Sequence, residues 1–494
     1  MHKLLSQALR QRERMEHLFP DKASKQPCTL KPIVRFNTYA LALKRGLLLL
    51  ILSLWGGGYQ AKAAHLAAPT RSQQNALETL TPQKRLPASF SLYWDCKLSP
   101  LVGACLLNDA WELYSVLWPF QNYLGVRAVH LWADCVASIF SYVPNHEIFG
   151  HGFRMREIGG LKPKYSMFYA VPTDNARLTH LKETLPPKEY LQKEIVVWLG
   201  GIEASQVLTK QVTLHCLREQ RITLAQAWLF LQGTIDGIGY TNSAASPGPT
   251  LDDLGLLARA INHPDQSSSS LYSADGLPLN LRTLHAKGYI HDVRNYVTKI
   301  NALYDAKALK ALDVQQVKSA YMLNYLDPFG VYSLYYLAFE YLIKGNLHWK
   351  YPMIPIGEVG YLPGLKCIMT PYGLEKQLVN YLRYRHMSAQ VFINYGQHYA
   401  HKSYGIGGQC NAIPVNDYLS LGGRLYVWKQ PQLFTAAPAD APSKLGIMAT
   451  VIGEYAFNQY FGFISHAGYK TQGYLQGECL ASGFSFGLGM RLRI

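Results

Sequence analysis

The spacing of apolar residues changes period near Asn346, and this change limits the folds that the chain can adopt. Before it, long apolar or amphipathic stretches are separated by Pro, Gly and Asn, which is typical of helices. After it, Pro and Gly become frequent and apolar residues alternate with polar ones, as strands require. The sequence therefore predicts an α+β fold, with a mainly helical domain at 64–345 and an antiparallel sheet or small β-barrel at 346–494.

Six stretches carry the helical pattern: 101–123, 126–142, 193–212, 222–238, 251–261 and 317–343. Several are apolar nearly all round, which predicts burial in a helical core or partial embedding in a bilayer. The polar segment 263–280 is predicted to be a loop between helical parts.

The last strand has the clearest alternation. Its apolar positions are Phe484, Phe486, Leu488, Met490, Leu492 and Ile494. Residues 445–457, and more weakly 391–399, repeat the pattern. Such strands resemble the closing strands of outer-membrane β-barrels of Gram-negative bacteria, which implies contact with the outer membrane. A soluble antiparallel sheet with one buried face alternates in the same way, and this alternative stays open.

Residues 1–63 carry the signature of an exported protein. Lys44 and Arg45 precede an apolar run at 46–55, and Ala61-Lys62-Ala63 has the small-x-small pattern of a cleavage site. A run of about ten residues is too short to cross a bilayer as a helix. We therefore predict a leader with a cleaved signal peptide, or else an uncleaved anchor. The expected location is the envelope of a Gram-negative bacterium, in the outer membrane or the periplasm.

Charge and cysteine content argue against two classes of site. Half of the formal net charge of +16 lies in residues 1–63, and no block of clustered Lys and Arg with interleaved aromatics remains after them. We therefore expect no nucleic-acid partner, whereas attraction to an anionic membrane surface fits the basic balance. The eight Cys show no CxxC spacing, which argues against a Cys-ligated zinc site. In an exported chain, Cys96 and Cys105 are the nearest pair for a disulfide.

One segment predicts a catalytic metal site: His146-Glu147-Ile148-Phe149-Gly150-His151. In the zincin pattern HExxH, two imidazoles lie one helical turn apart and the Glu serves as general base. Here the spacing is one residue longer, and in a regular helix five positions turn His151 about 140° away from His146. A π-bulge absorbs one extra residue in a turn, and glycine tolerates the backbone change. We therefore predict a π-bulge that brings both imidazoles to one cation.

This segment is similar to the HExxGH motif of the dipeptidyl-peptidase III zinc peptidases. The resemblance implies His146 and His151 as Zn²⁺ ligands, Glu147 as general base, and a third, carboxylate ligand roughly fifty residues downstream. Glu203 lies 52 residues after His151 in an apolar stretch. A carboxylate is costly there unless it is paired or metal-bound. The paired acids and the Arg of that family's second motif are absent from this sequence.

A weaker resemblance implies a different residue as the third metal ligand. The motif, followed by Arg154 and Arg156 and later by Ile235-Asp236-Gly237, resembles the site-2 proteases. That resemblance implies Asp236 as the ligand, and we rank it below Glu203 because the motif spacing differs. The two arginines are interpreted either as groups that orient a substrate or as surface charges.

Readings without a two-histidine site also remain open. Asn145 is a plausible N-cap of a helix that begins at the motif, with Glu147 in its first turn. Glu147 and His151 face the same side of an undistorted helix and form a rival pair of ligands. Four further polar residues are interpreted as solvated surface: Asp252, Asp253, His263 and Asp265.

The motif and the leader together predict a zinc-dependent metallopeptidase of the cell envelope that acts on a peptide or protein. One alternative is a non-enzymatic outer-membrane β-barrel protein with a helical periplasmic domain. Another is a zinc hydrolase of a lipid or peptidoglycan amide, because the same ligands serve several reactions. The sequence does not predict an oligomeric state.

Overall fold

The helical and β parts predicted from the sequence are both present, so the fold class is α+β. The computed structural model describes residues 89–95, 97–117, 123–158, 163, 165, 184–245, 297–303, 313–385, 387–398, 401–432, 443–458 and 460–493. The predicted leader, the predicted helix at 251–261 and the predicted loop at 263–280 lie outside these residues. The described residues belong to one compact unit, in which the helical and β parts pack together.

The helices are α1 (Pro100–Leu117), α2 (Leu124–His146), α3 (Gly152–Glu157), α4 (Pro187–Glu219), α5 (Leu224–Ala245), α6 (Val314–Tyr321) and α7 (Pro328–Tyr335). A π-helical segment, Glu147–His151, joins α2 directly to α3, and a second one, Tyr336–Ile343, continues α7. We call the first of these the π-segment.

The single helix predicted over 317–343 is divided. The 3-10 helix Met322–Leu326 follows α6, and α7 begins anew at Pro328. The Asp327 carboxylate caps α7 by accepting a hydrogen bond from the backbone N–H of Phe329 at 2.9 Å. A proline ring cannot continue a preceding α-helix, and this explains the break.

None of the described helices is both long enough and apolar enough to cross a membrane.

The strands are β1 (Ser89–Trp94), β2 (Ile222–Thr223), β3 (His348–Trp349), β4 (Ile354–Ile356), β5 (Val359–Thr370), β6 (Gly373–Tyr384), β7 (Met387–His398), β8 (His401–Pro414), β9 (Leu419–Gln430), β10 (Lys444–Ala456), β11 (Phe461–Lys470) and β12 (Gly483–Arg493). Strands β4 to β12 pair in chain order as antiparallel neighbours, and β1 adds to β12, which gives ten strands in one sheet. The edge strands β1 and β4 do not pair with each other in the described part, so the sheet is not closed into a barrel.

The inner face of the sheet carries polar side chains beside buried aromatic and aliphatic ones, whereas the outer face is largely apolar. One inner row of cross-strand partners is Gln390, Gln409, Arg424 and Thr450. One outer row is Leu378, Ile393, Ile406, Val427 and Ile447. Gln409 is 6% exposed, whereas Ile406 is 55% exposed. The apolar outer face differs from that of a soluble antiparallel sheet, which turns its polar face to water.

Helix α4 connects the helices to the sheet. Its buried residues Ile195, Leu199 and Ile202 pack with Tyr321 of α6 and Met369 of β5 in one apolar cluster. On the opposite side α4 packs against the π-segment and α1. The motif is therefore held by a helix whose other side rests on the sheet.

The π-segment approaches α4 at glycines. A Cβ atom on Gly150 would lie 2.6 Å from the carbonyl oxygen of Gly200, and a Cβ on Gly200 would lie 2.7 Å from the carbonyl oxygen of Gly150. Both distances are below van der Waals contact and both involve backbone atoms, which cannot swing aside. The two backbones can therefore approach this closely only because neither residue has a side chain.

This contact predicts different effects of two Gly→Ala substitutions on the free energy of unfolding. We expect Gly150→Ala to lower the free energy of unfolding by about 1–3 kcal/mol, because it forces α4 away from the π-segment. Gly125→Ala in α2 is the control, since its Cβ would meet nothing within 4 Å. It should be neutral or raise stability by up to about 1 kcal/mol. Denaturant unfolding measures both, and an unchanged midpoint for Gly150→Ala would refute the close contact.

Candidate metal centre

The inserted residue of the motif is absorbed by a π-helical turn, as the spacing predicts. The turn covers Glu147–His151, and it brings the Nε2 atoms of His146 and His151 to 3.2 Å from each other. Helix α2 runs through Asn145, so the reading of Asn145 as an N-cap at a helix start is wrong. Its side-chain amide instead donates a hydrogen bond to the carbonyl oxygen of Ala204 at 3.3 Å.

The other nitrogen of each imidazole contacts an acceptor. The Nδ1 of His146 lies 3.2 Å from Oδ2 of Asp236, and the Nδ1 of His151 lies 2.7 Å from the carbonyl oxygen of Val197. An ionised carboxylate and a carbonyl can only accept, so each Nδ1 carries the proton. In the neutral rings both Nε2 atoms then present a lone pair. Histidine ligands of metals are oriented in this way by a carboxylate or a backbone carbonyl.

The distance between these lone pairs fits one bound cation. Two imidazole nitrogens, each about 2.0–2.1 Å from a tetrahedral zinc ion, lie about 3.3 Å apart. His146, Glu147 and His151 can each offer one ligand atom, and these atoms all lie within 4.8 Å of one another. The cluster could therefore hold a metal ion, although its geometry does not by itself select zinc.

Gly201 leaves space beside the cluster. A Cβ atom at this position would lie 2.1 Å from Nε2 of His146, on the nitrogen that faces His151. Any side chain there would displace the ring. Glycine at position 201 therefore leaves both Nε2 atoms accessible to a metal ion.

Asp236, on α5, lies behind His146. Its Oδ2 accepts hydrogen bonds from the hydroxyl groups of Tyr142 at 2.7 Å and Ser205 at 2.8 Å. It contacts the nitrogen of His146 that points away from His151. In this position the carboxylate orients the ring and fixes its tautomer.

Glu203 is not part of the cluster. Both of its carboxylate oxygens accept hydrogen bonds from Arg154, at 2.7 Å from Nε and from a terminal nitrogen, and the backbone N–H of Gly477 adds a third at 2.6 Å. The buried carboxylate is thus paired with a cation. Like metal binding, this pairing offsets the free-energy cost of burying the negative charge.

Arg154 itself is fully buried, so its interpretation as a surface charge is wrong. It also contacts Glu157 and donates to the carbonyl oxygen of Glu478 at 3.0 Å. Burial alone would lower the pKa of Arg154, but Glu203 and Glu157 outweigh it and raise that pKa. The guanidinium therefore stays charged and joins α3, α4 and the loop after β11.

Tyr165 lies near the cluster and was not predicted. Its hydroxyl accepts a hydrogen bond from Arg156 at 2.7 Å, and Arg156 is held by the carbonyl oxygens of Lys97 and Ile148. Partial burial raises the pKa of Tyr165, Arg156 opposes this rise, and the negative charge of Glu147 adds a smaller increase. No motif or periodic pattern surrounds Tyr165 in the sequence, so spacing gave no signal for it.

Other predicted residues fall outside the described part: Cys96, Asp252, Asp253, His263 and Asp265. Cys105 is described and carries a free thiol. The free thiol of Cys105 contradicts the predicted disulfide with Cys96.

The chain matches no protein-family model, no curated protein and no solved structure. The likenesses to two peptidase families and to outer-membrane strands therefore remain resemblances of short segments, and the site must be judged by its geometry.

Two substitutions separate the candidate third ligands. We expect Glu203→Gln to lower the free energy of unfolding by about 3–5 kcal/mol, because it weakens the pairing of a buried guanidinium. It should leave metal affinity unchanged. We expect Asp236→Asn to weaken metal binding about 10–100-fold, because it disturbs the ring orientation of His146.

Asp134→Asn is the control for loss of a buried aspartate, since Asp134 accepts a hydrogen bond from Tyr114 at 2.9 Å away from the site. Metal titration and denaturant unfolding give the two readouts. If folded Glu203→Gln loses its metal while Asp236→Asn keeps it, Glu203 is a ligand and the assignment above must be reversed.

Proposed function

We propose that this chain is a zinc-dependent hydrolase of the cell envelope that cleaves an amide bond, with peptides as its first candidate substrates. The observation that carries the proposal is the pair of Nε2 atoms 3.2 Å apart, each on a ring whose Nδ1 is already engaged by an acceptor. Two lone pairs held face to face repel each other unless a proton or a cation lies between them. A bound cation would remove this repulsion at both nitrogens at once.

Zinc bound at such a site supplies a Lewis acid that polarises a carbonyl group and makes water more acidic. The chain supplies the remaining functions. Glu147 lies beside both imidazoles and can take a proton from the attacking water and pass it to the leaving amine. The hydroxyl of Tyr165 accepts a hydrogen bond from Arg156 and can donate its own proton to the negative charge that develops on the carbonyl oxygen.

The outer face of the sheet supports a location at a membrane. Apolar side chains on β9, β10 and β12, such as Leu425, Ile447 and Phe486, are exposed by 44–65%. Large continuous apolar surfaces mark contact with a membrane or another protein. The buried inner row is polar, which is the arrangement of strands with lipid on one side. We therefore assign lipid as the medium of the outer face, in agreement with the predicted leader.

The same face supports a second candidate function, a non-enzymatic envelope protein in which the helices and the sheet serve a structural role. An amide in a lipid or in peptidoglycan is a further candidate substrate at a membrane-bound site. The experiments below separate these candidates.

The general-base assignment predicts that Glu147→Gln binds about one equivalent of zinc but cleaves mixed casein peptides about 10²–10⁴-fold more slowly than the unaltered protein. His146→Ala should lose both the metal and the activity. His130→Ala is the control, because His130 is also a buried histidine of α2 and contacts Tyr341 at 2.7 Å outside the site.

Metal analysis and mass spectrometry of the peptide products give the two readouts. Less than about a tenth of an equivalent of zinc in the unaltered protein would exclude the metal site. Zinc binding without cleavage of peptides, lipid amides or peptidoglycan would favour the structural role. Loss of zinc in Glu147→Gln would make Glu147 a ligand instead of the base.

The lipid assignment predicts unequal effects of two Val→Arg substitutions. Val451 lies at the middle of β10 on the outer face and is 61% exposed, and Val415 lies in the turn after β8 and is 54% exposed. In phosphatidylcholine vesicles, Val451→Arg should lower stability by about 2–4 kcal/mol. Val415→Arg should change it by about 0.5 kcal/mol or less. Equal effects, or failure of the unaltered protein to float with the vesicles, would contradict this location.

A further inference from the structure

A cavity of about 110 Å³ lies between α4, α5 and the inner face of the sheet. A single buried water needs about 10–15 Å³ of such space, so the cavity can hold several waters or one small molecule. It is lined on α4 by Gln206 and Lys210, whereas the candidate metal centre contacts α4 at Gly201 and Ser205. The cavity therefore faces a different side of this helix and forms a separate site.

Several buried polar atoms face this cavity without a partner among the described residues. Gln390 is 3% exposed and Gln409 is 6% exposed, and the Oε1 atom of each accepts no hydrogen bond. The hydroxyl of Tyr474 and the Nε of Arg424 are also buried without a partner. Leaving such groups unsatisfied is costly, so a polar occupant is required. The two amide oxygens need donors, whereas the guanidinium needs an acceptor.

The charges in the cavity leave one cation without an ion pair. Lys366 pairs with Asp327 at 2.7 Å, and Arg424 pairs with Glu478 at 2.5 Å. Lys210 forms no ion pair with any residue that the structure describes, and its ammonium lies 5.4 Å from the ring centre of Phe392. Burial lowers the pKa of Lys210 to about 8, and the nearby Arg424 acts in the same direction. The half-buried ammonium thus lacks an ion-pair partner among the described residues.

Glu375, the remaining acidic residue of the cavity, does not supply a counter-ion for Lys210. The carboxyl group of Glu375 accepts hydrogen bonds from Ser403 at 2.6 Å and Asn394 at 3.3 Å, and burial raises its pKa. It is therefore neutralised more easily than a surface glutamate and is held by its own partners. An occupant that satisfies Lys210 must bring a negative charge.

We propose that this cavity binds a small polyhydroxylated anion, with its carboxylate or phosphate at Lys210 and Arg424 and its hydroxyl groups on the oxygens of Gln390 and Gln409. Hydroxyl groups donate to the two amide oxygens, and an acidic group supplies the missing acceptor, so an acidic sugar satisfies both requirements. Phe392 and Tyr426 offer apolar ring surface for the carbon skeleton. This inference does not rest on the proposed hydrolase.

The test measures the rise in Tm when a probe is added to the full chain. All variants carry His146→Ala and His151→Ala, so that no probe can act through a metal at the other site. Glucuronate and glucose 6-phosphate are the two probes, and glucose is the neutral control. We expect at least one acidic probe to raise Tm by about 2 °C or more, because a ligand that binds only the folded state stabilises it. Which of them does so identifies the acidic group.

Lys210→Met should abolish this rise. It should also increase Tm in the absence of a probe, because a half-buried cation without an ion-pair partner among the described residues is replaced by an apolar side chain of similar length. Lys402→Met is the control, since Lys402 is an exposed lysine of β8 and should leave both values unchanged. Gln390→Leu is a second variant that removes one acceptor and keeps all charges, and it should reduce the rise.

Three results would overturn the proposal. The first is no response to either acidic probe, which would mean that the cavity holds only water. The second is an equal response in Lys210→Met. The third is a response to glucose as large as that to the acidic probes, which would remove the role of charge.

Discussion

The close contact between the backbones of the π-segment and α4 is the constraint on which the candidate metal centre depends. Three residues of α4 at four-residue spacing, Val197, Gly201 and Ser205, meet the site along one side of the helix. The first supplies a carbonyl to His151, the second leaves space at His146, and the third holds Asp236. None of these contacts could form if side chains at Gly150 and Gly200 kept the backbones apart.

The buried ionic cluster around Arg154 stabilises the same geometry from the other side. Its guanidinium is three residues beyond His151, and Glu203 is two residues beyond Gly201, so the pair joins the two helices next to the glycine contact. A buried ion pair adds little net stability, but loss of one partner is strongly destabilising. The cluster therefore links α3 to α4, and the loop after β11 completes it through the backbone N–H of Gly477.

The elements that the sequence predicts well are those set by local geometry. The π-turn follows from the spacing of His146 and His151, because no regular helix can bring those rings together. The strands follow from alternation, but alternation is symmetric and does not reveal which face turns inward. Strand β1 was missed because six residues after an unassigned segment carry too little periodicity.

The role of Glu203 shows a second limit of the sequence. The premise that a carboxylate in an apolar stretch must be paired or metal-bound is correct, but it allows two solutions. The actual partner is Arg154, 49 residues away in the chain, and only the tertiary fold brings the two together. Asp236 and Tyr165 reach the site in the same way, from segments whose local pattern contains no sign of it.

The environment of α4 changes along its length where it passes the inner face of the sheet. In its first half, Ile195 and Leu199 belong to one apolar cluster with Met369 of β5. Beyond Glu203 the helix faces amides and charges of the sheet, and close packing gives way to the cavity at Lys210. An apolar inner face would have closed this gap, because burial of both surfaces would be favourable. One helix therefore separates two buried polar environments, a tightly packed one at His146 and an open one at Lys210.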